Sequence, residues 1–171
     1  MDKEVEKLIF VPSQEELLAE KVWIEEQIRK VGKKRLENLS RLAATVRLNA
    51  YRDYSRYSVG AAVLTWAGNI YLGCNAETAT YDGEHAERIA ISGAITEGEI
   101  RKYEFGRRFI RAIAVSHPGK SGPCGGCRQK IAEHSDNCLI VDVDEDGAIQ
   151  AISSLKALFP YAFTPSHLGK E

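Results

Sequence analysis

The feature that most constrains this chain is a change of hydrophobic period just before residue 59. Upstream, Leu17, Ile24, Ile28 and Val31 recur at helical spacing, with Gly32 placed to stop the run. A second helical pattern then passes through Leu36, Leu39, Leu42, Ala43, Val46 and Ala50. Downstream, short apolar runs rich in β-branched residues alternate with helix-length segments. The runs are Val59–Leu64, Ile70–Cys74, Phe109–Ser116, Cys138–Val143 and Ala148–Ile152. The turns Trp66-Ala67-Gly68-Asn69 and Asp146-Gly147 close two hairpins, which predicts antiparallel edges. Strand–helix–strand alternation between them requires parallel pairing through crossover helices. The expectation is a three-layer α/β/α fold on a mixed five-stranded sheet.

Local signals refine this order. Ser13-Gln14-Glu15-Glu16 has capping-box spacing after Pro12. Lys33-Lys34-Arg35 reads as a solvated face at a helix end, where cations suit the dipole. A helix begins near Glu84, carries Ile89, Ile91 and Ile95, and ends around Gly98. Pro123 is placed to open a helix at its first position, and Ser153 or Ser154 caps a short last one.

Composition narrows the function classes. The chain has 171 residues, 23 Lys+Arg against 24 Asp+Glu, and a net charge of −1, so it supplies no field to hold a polyanion. A nucleic-acid partner is not expected. No run of about 18 apolar residues exists, so no membrane span is expected, and the N-terminal MDKEVEKLIFVPSQEE lacks the apolar core of a signal peptide. Four cysteines are too few for a disulfide framework, which favours a reducing, cytoplasmic location.

Chemistry concentrates at two helix starts, His85-Ala86-Glu87 and Pro123-Cys124-Gly125-Gly126-Cys127. Imidazole and thiolate are zinc donors, and three protein ligands leave a fourth tetrahedral position open. Cysteines at a helix N-terminus face amide dipoles that favour the thiolate. Glu87, two residues from His85, is placed for acid/base work and not for ligation. Two other readings remain: a closed structural zinc site and a redox C-x-x-C. The closed site needs a fourth ligand from Cys74, Cys138, His117 or His134. Both cysteines sit in apolar strand-like runs, and both histidines are expected to be solvated. A redox pair leaves His85-Ala86-Glu87 unexplained.

His-x-Glu followed by Pro-Cys-x-x-Cys resembles the zinc nucleoside and nucleobase deaminases, and most closely the cytidine deaminase family. The resemblance runs from about Leu42 to Leu168. It passes through Tyr54–Ala62, Gly73-Cys74-Asn75-Ala76-Glu77, His85–Arg88, Pro123–Gln129 and Leu158–Phe163. It implies a catalytic domain over 39–171 behind a helical extension over 1–38. It further implies zinc held by His85, Cys124 and Cys127, with Glu87 relaying protons to a cytosine ring. Asn75 and Glu77 would bind the sugar, Tyr57 would line the base pocket, and the Ala86 amide would meet the base carbonyl. Arg88 would offset thiolate charge. Tyr81 and Phe163 would reach a neighbouring subunit's site, which implies a homo-oligomer, a tetramer or dimer.

The expected reaction is hydrolytic deamination of cytidine, deoxycytidine or a close nucleoside analogue. The alternatives are a cytosine nucleotide, a cytosine-containing antibiotic of the blasticidin kind, or a non-catalytic nucleoside-binding zinc module. Three departures from the family pattern bear on substrate. His85 replaces the cysteine of the small tetrameric enzymes, the loop 79–84 is one residue shorter and carries Asp82 and Glu84, and Thr78 stands where Asn is common.

Overall fold

The computed structural model describes residues 12–103, 108–119 and 121–169. The first eleven residues, with most of the segment read above as no signal peptide, lie outside that set. Two helices, α1 (Gln14–Val31) and α2 (Lys33–Arg47), precede β1 (Gly60–Thr65) and β2 (Ile70–Cys74). Then follow α3 (Ala86–Thr96), a 3-10 turn at Glu99–Arg101, β3 (Ile110–Ser116), α4 (Gly125–Glu133), β4 (Leu139–Val143), β5 (Ile149–Ser154), α5 (Leu155–Leu158) and a final 3-10 turn at Pro165–Leu168.

The five strands form one sheet in the order β2-β1-β3-β4-β5. Only β3 and β4 pair in parallel; the other three pairings are antiparallel. The expected parallel pairing therefore holds across α4. Helix α3 instead carries the chain over β1, so β2 and β3 run the same way without being neighbours.

Alternation along each strand splits the core into two layers. Ala62, Leu64, Ala112, Ala114, Leu139 and Val141 face α1 and α2, where Val31, Leu36, Leu39 and Ala43 meet them. Ala61, Val63, Ile113, Val115 and Ile140 face the opposite layer, with Ala86, Ala90, Ile91, Ala94 and Ile131 of α3 and α4. This is the expected three-layer arrangement.

Several local details differ from the sequence reading. Leu17 does not join the core: with Leu18 and Val22 it is exposed, while Trp23, Ile24 and Ile28 make the contact. Lys33-Lys34-Arg35 is solvated as expected but lies in the first turn of α2, the end of the dipole that disfavours cations. Pro123 stands one residue before the cap of α4. Cys124 is the cap, because its extended ψ of 164° cannot belong to a helical turn. The capping box at Ser13 and Glu16 forms, and Ser154 caps α5.

Two glycines let helices press onto the sheet. A Cβ on Gly60 would lie 2.1 Å from the Ala43 carbonyl oxygen of α2, and one on Gly73 would lie 2.3 Å from the Ala86 oxygen of α3. Neither backbone can yield to that overlap, so these contacts require glycine.

Away from those contacts, the fully buried Glu99 ties the β1–β2 turn to the segment after α3. Its carboxylate accepts from Asn69, from Lys102 at 2.5 Å, from Tyr71 at 3.1 Å and from Tyr103 at 3.3 Å. Burial alone would raise its pKa, but the bonds from Lys102, Asn69 and Tyr71 together bring it down to about 2. A depressed carboxyl stabilises the fold above its unfolded value and loses that contribution as pH falls towards its folded value. Glu99→Gln is accordingly expected to be less stable than the parent at pH 7, with the difference narrowing from about pH 4.5 downward. Urea unfolding at a series of pH values measures this; a gap that does not narrow contradicts it.

Candidate active site

One rim of the sheet collects the chemistry. The register aligns Cys74, Gly60, Ser116 and Val143 in a single row across β2, β1, β3 and β4. The residues just beyond that row are Asn75, Val59, His117 and Asp144. Because β3 and β4 are parallel, the crossover starts α4 at this same rim, outside the carboxyl ends of those strands. Gly73 seats α3 against β2 with its N-terminus there too.

His85 caps α3, Cys124 caps α4, and Cys127 lies in the first turn of α4. The His85 Nδ1 atom is 3.5 Å from Cys124 Sγ and 3.4 Å from Cys127 Sγ, and one ligand atom from each residue lies within 4.8 Å of the others. A tetrahedral zinc with ordinary bond lengths places nitrogen and sulfur donors about 3.6 Å apart, so the triad fits that ion. Among the described residues, none of Cys74, Cys138, His117 or His134 joins this group. The donor set is three, as an open site requires.

A cavity of about 490 Å³ opens beside the triad. Tyr57, Asn75, Glu77, Tyr81, His85, Ala86, Glu87 and Cys124 all line it. Glu87 is only 4% exposed, and its carboxyl faces Cys127. Arg88 is exposed and reaches over the first turn of α4, where a Cβ on Gly126 would sit 3.0 Å from its guanidinium. Phe163 lies outside the cavity lining; its ring is exposed and stacks on His167.

The polar wall is held by side chains acting on backbone. Asn75 accepts from the Val59 amide at 2.7 Å and donates to the Tyr57 carbonyl at 2.9 Å. Glu77 accepts from the Ser55 hydroxyl and from the amides of Tyr54 at 2.8 Å and Ser55 at 3.0 Å. Those bonds, led by the Ser55 hydroxyl, hold its carboxyl below the usual range.

The Cys127 thiol is pushed well up, chiefly by burial and then by the nearby Glu87 and Cys124. Without a bound ion the raised thiol holds its proton more tightly, and a cation must displace that proton on binding. Zinc affinity is therefore expected to weaken about tenfold per pH unit on acidification through that proton alone. Competition with a chromophoric chelator between pH 6 and 8 reads it, and a flat profile contradicts it.

Both histidines expected in solvent are buried, His117 at 3% exposure and His134 at 5%. His134 packs on Phe109, while His117 stacks on Tyr57 and lines the cavity. The sequence reading weighed His117 only as a fourth zinc ligand and expected it in solvent; its place on the cavity wall was missed. Its signal was Asp142, an acid inside the apolar run Leu139–Val143, which needed a partner when buried. Also missed were the tethers of α4 to the C-terminal segment. Arg128 bonds the Pro123 and Leu158 carbonyls, both at 2.7 Å, and Gln129 bonds the Phe163 carbonyl at 2.5 Å.

Two helix-end thiols, a helix-end imidazole and a buried glutamate around one cavity are the groups that a zinc-dependent hydrolase site requires. Residues 33–142 match the family model described as the cytidine and deoxycytidylate deaminase zinc-binding region, and the chain belongs to that family. A cytidine deaminase of Sporosarcina psychrophila is 35% identical over 136 residues, covering 78% of this chain and 95% of that protein. One from Halalkalibacterium halodurans is 39% identical over 131 residues, covering 74% and 92%. The crystal structure of cytidine deaminase from Burkholderia pseudomallei superposes with a TM-score of 0.65 at 34% identity, covering 74% of this chain and 97% of that one.

Because Gly73 sets where α3 begins, Gly73→Ala is expected to displace His85 and Glu87 together. Loss of bound zinc or of activity beyond the loss of folded protein, read by metal content and circular dichroism, checks it. Unchanged zinc binding and activity would show that the close approach is dispensable.

Proposed function

We propose that this chain catalyses hydrolytic deamination of cytidine, deoxycytidine or a close cytosine nucleoside, yielding the uracil product and ammonia. The observation that carries this reading is the buried Glu87 carboxyl beside a three-donor zinc triad, both opening on one cavity. When bound by His85, Cys124 and Cys127, zinc supplies a Lewis acid that makes water nucleophilic at neutral pH.

Glu87 accepts the attacking water's proton and delivers it to the ring nitrogen. It then takes the remaining hydroxyl proton from the added oxygen and passes it to the amine, which leaves as ammonia as the C–N bond breaks and the carbonyl forms. Its near-complete burial limits loss of that proton to solvent. The Ala86 amide, at the free N-terminus of α3, is available to the base carbonyl. Tyr57 supplies an apolar wall, and Asn75 and Glu77 face the sugar while they also brace the 54–59 segment. Arg88, over the first turn of α4, offsets thiolate charge.

The described lining residues include Glu77, Glu84 and Glu87 but no Lys or Arg. That supports a nucleoside over a nucleotide, whose phosphate three carboxylates would repel. The same carboxylates favour, as a second reading, a cytosine antibiotic bearing a cationic arm. The exposed Tyr81 and Phe163 support a homo-oligomer in which they complete a neighbouring site. No helix among the described residues is long and apolar enough to cross a membrane; four cysteines with no disulfide among them support a reducing, cytoplasmic compartment, and the nucleoside reading supports a role in pyrimidine salvage. We place the catalytic domain at 39–171 and its helical extension at 1–38; Ile24, Ile28 and Val31 of α1 pack on the α2 side of the sheet.

Ammonia release from cytidine, deoxycytidine, dCMP and blasticidin S by zinc-loaded protein orders these substrates, and turnover of dCMP above all others would overturn the nucleoside reading. Glu87→Gln is expected to keep zinc while losing at least about a hundredfold in turnover, the scale of positioned acid/base catalysis. Full activity in that variant removes Glu87 from the chemistry.

A further inference from the structure

His117 follows β3 directly, and its backbone amide donates to the Val143 carbonyl of β4 at 3.2 Å, so its place is set by the parallel pair. Its Nδ1 accepts from the Gly119 amide at 3.2 Å. The ring proton therefore sits on Nε2; Asp142 Oδ1 lies 2.8 Å away, an ion-pair approach that is not aligned as a hydrogen bond. Asp142 is paired in register with Val115, one strand over and two residues before His117. The Gly119 amide thereby sets the tautomer, and the carboxylate closes off the Nε2 edge of the ring.

The far side of that ring meets Tyr57. The two rings are stacked at an interplanar angle of 20°, and the phenol oxygen lies 3.3 Å from Nδ1. Gly119 crowds the same point, since a Cβ there would be 3.2 Å from the phenol oxygen. The single Nδ1 lone pair is shared by the Gly119 amide and the Tyr57 hydroxyl, so the phenol is held by its proton while its oxygen remains free to accept. It keeps hydrogen-bonding capacity on the cavity wall. Tyr57 is also bound through its carbonyl to Asn75 and through its amide to Ser55, which in turn bonds Glu77. Its phenol thus belongs to the same rigid unit as the two residues assigned to the sugar, whereas Glu87 and the zinc triad take the amine-bearing carbon.

We propose that His117, oriented by Asp142, is a positioning residue that sets the Tyr57 hydroxyl as a polar contact to the pentose of the nucleoside. This rests on the nucleoside reading and deepens it. It makes part of sugar recognition depend on a pair of side chains from β3 and β4, on the opposite wall from Asn75 and Glu77.

The test measures binding of uridine and of uracil to zinc-loaded protein by NMR titration, which needs no turnover and reads weak constants. Tyr57→Phe removes one oxygen and leaves the ring; His117→Phe and Asp142→Leu remove its support. Each is expected to weaken uridine about three- to tenfold, the scale of one hydrogen bond, while leaving uracil unchanged. The double variant of Tyr57→Phe with His117→Phe should bind uridine no worse than Tyr57→Phe alone, because His117 acts through the hydroxyl. Asp142→Asn, which keeps an oxygen and the same shape beside Nε2, should retain parental affinity. Equal losses for uridine and uracil, additive losses, or no loss would overturn the inference. Parental protein that binds uridine without deaminating cytidine defeats the enzymatic reading alone; parental protein that does not bind uridine defeats both.

Discussion

Everything at the site depends on how closely α3 lies against β2. Gly73 removes the only atom that would hold the helix off, and the Ala86 carbonyl fills that space. The first turn of α3 is thereby brought to the rim where β3 ends and α4 begins. An imidazole from one helix end and two thiols from the other can then meet within the reach of one ion. A displacement of even an ångström would break that convergence, because zinc accepts its donors over a narrow range of distance.

The same rim shows how polar groups near a cavity serve two ends. Asn75 and Glu77 both line the cavity, yet each also satisfies backbone groups of the 54–59 segment. That segment has no helix or strand to hold it before β1, and it includes Arg56 with a positive φ of 60°. Side-chain bonds from β2's exit substitute for the missing ladder. The cavity wall and the 54–59 segment are consequently coupled, and a substitution at either residue would disturb both. His117 and Asp142 do the corresponding work from the other side, using strands rather than a loop.

The remainder of the molecule keeps this rim rigid. Arg47, buried at the end of α2, bonds Ser58 at 2.6 Å and pairs with Glu145 at 3.0 Å, joining the entry to β1 with the β4–β5 turn. Glu99 performs a like task at the opposite end of the β1–β2 hairpin. Both are charged groups nearly removed from water, tolerable because each is met by several partners.

His85-Ala86-Glu87 and Pro123-Cys124-Gly125-Gly126-Cys127 were legible as a zinc site because donor type and helix-start spacing are local properties. The sheet was legible for a similar reason: hairpin turns and the switch from helical to strand period are written within a few residues. Leu17 and the Lys33-Lys34-Arg35 run were misplaced because amphipathic spacing does not say where a neighbouring helix stops. His117 could not be found that way. The spacing of its own loop does not distinguish it from a solvated histidine; its burial depends on β4, where Asp142 lies across a parallel pair 25 residues further along the chain, and its stacking partner Tyr57 comes from the segment before β1. By itself the sequence determined which residues are the candidate donors and acid, and the order of strands and helices, since each is encoded by neighbours in the chain. Only tertiary structure decided which of the remaining polar residues share the cavity, because register and close approach bring together groups that no local spacing connects.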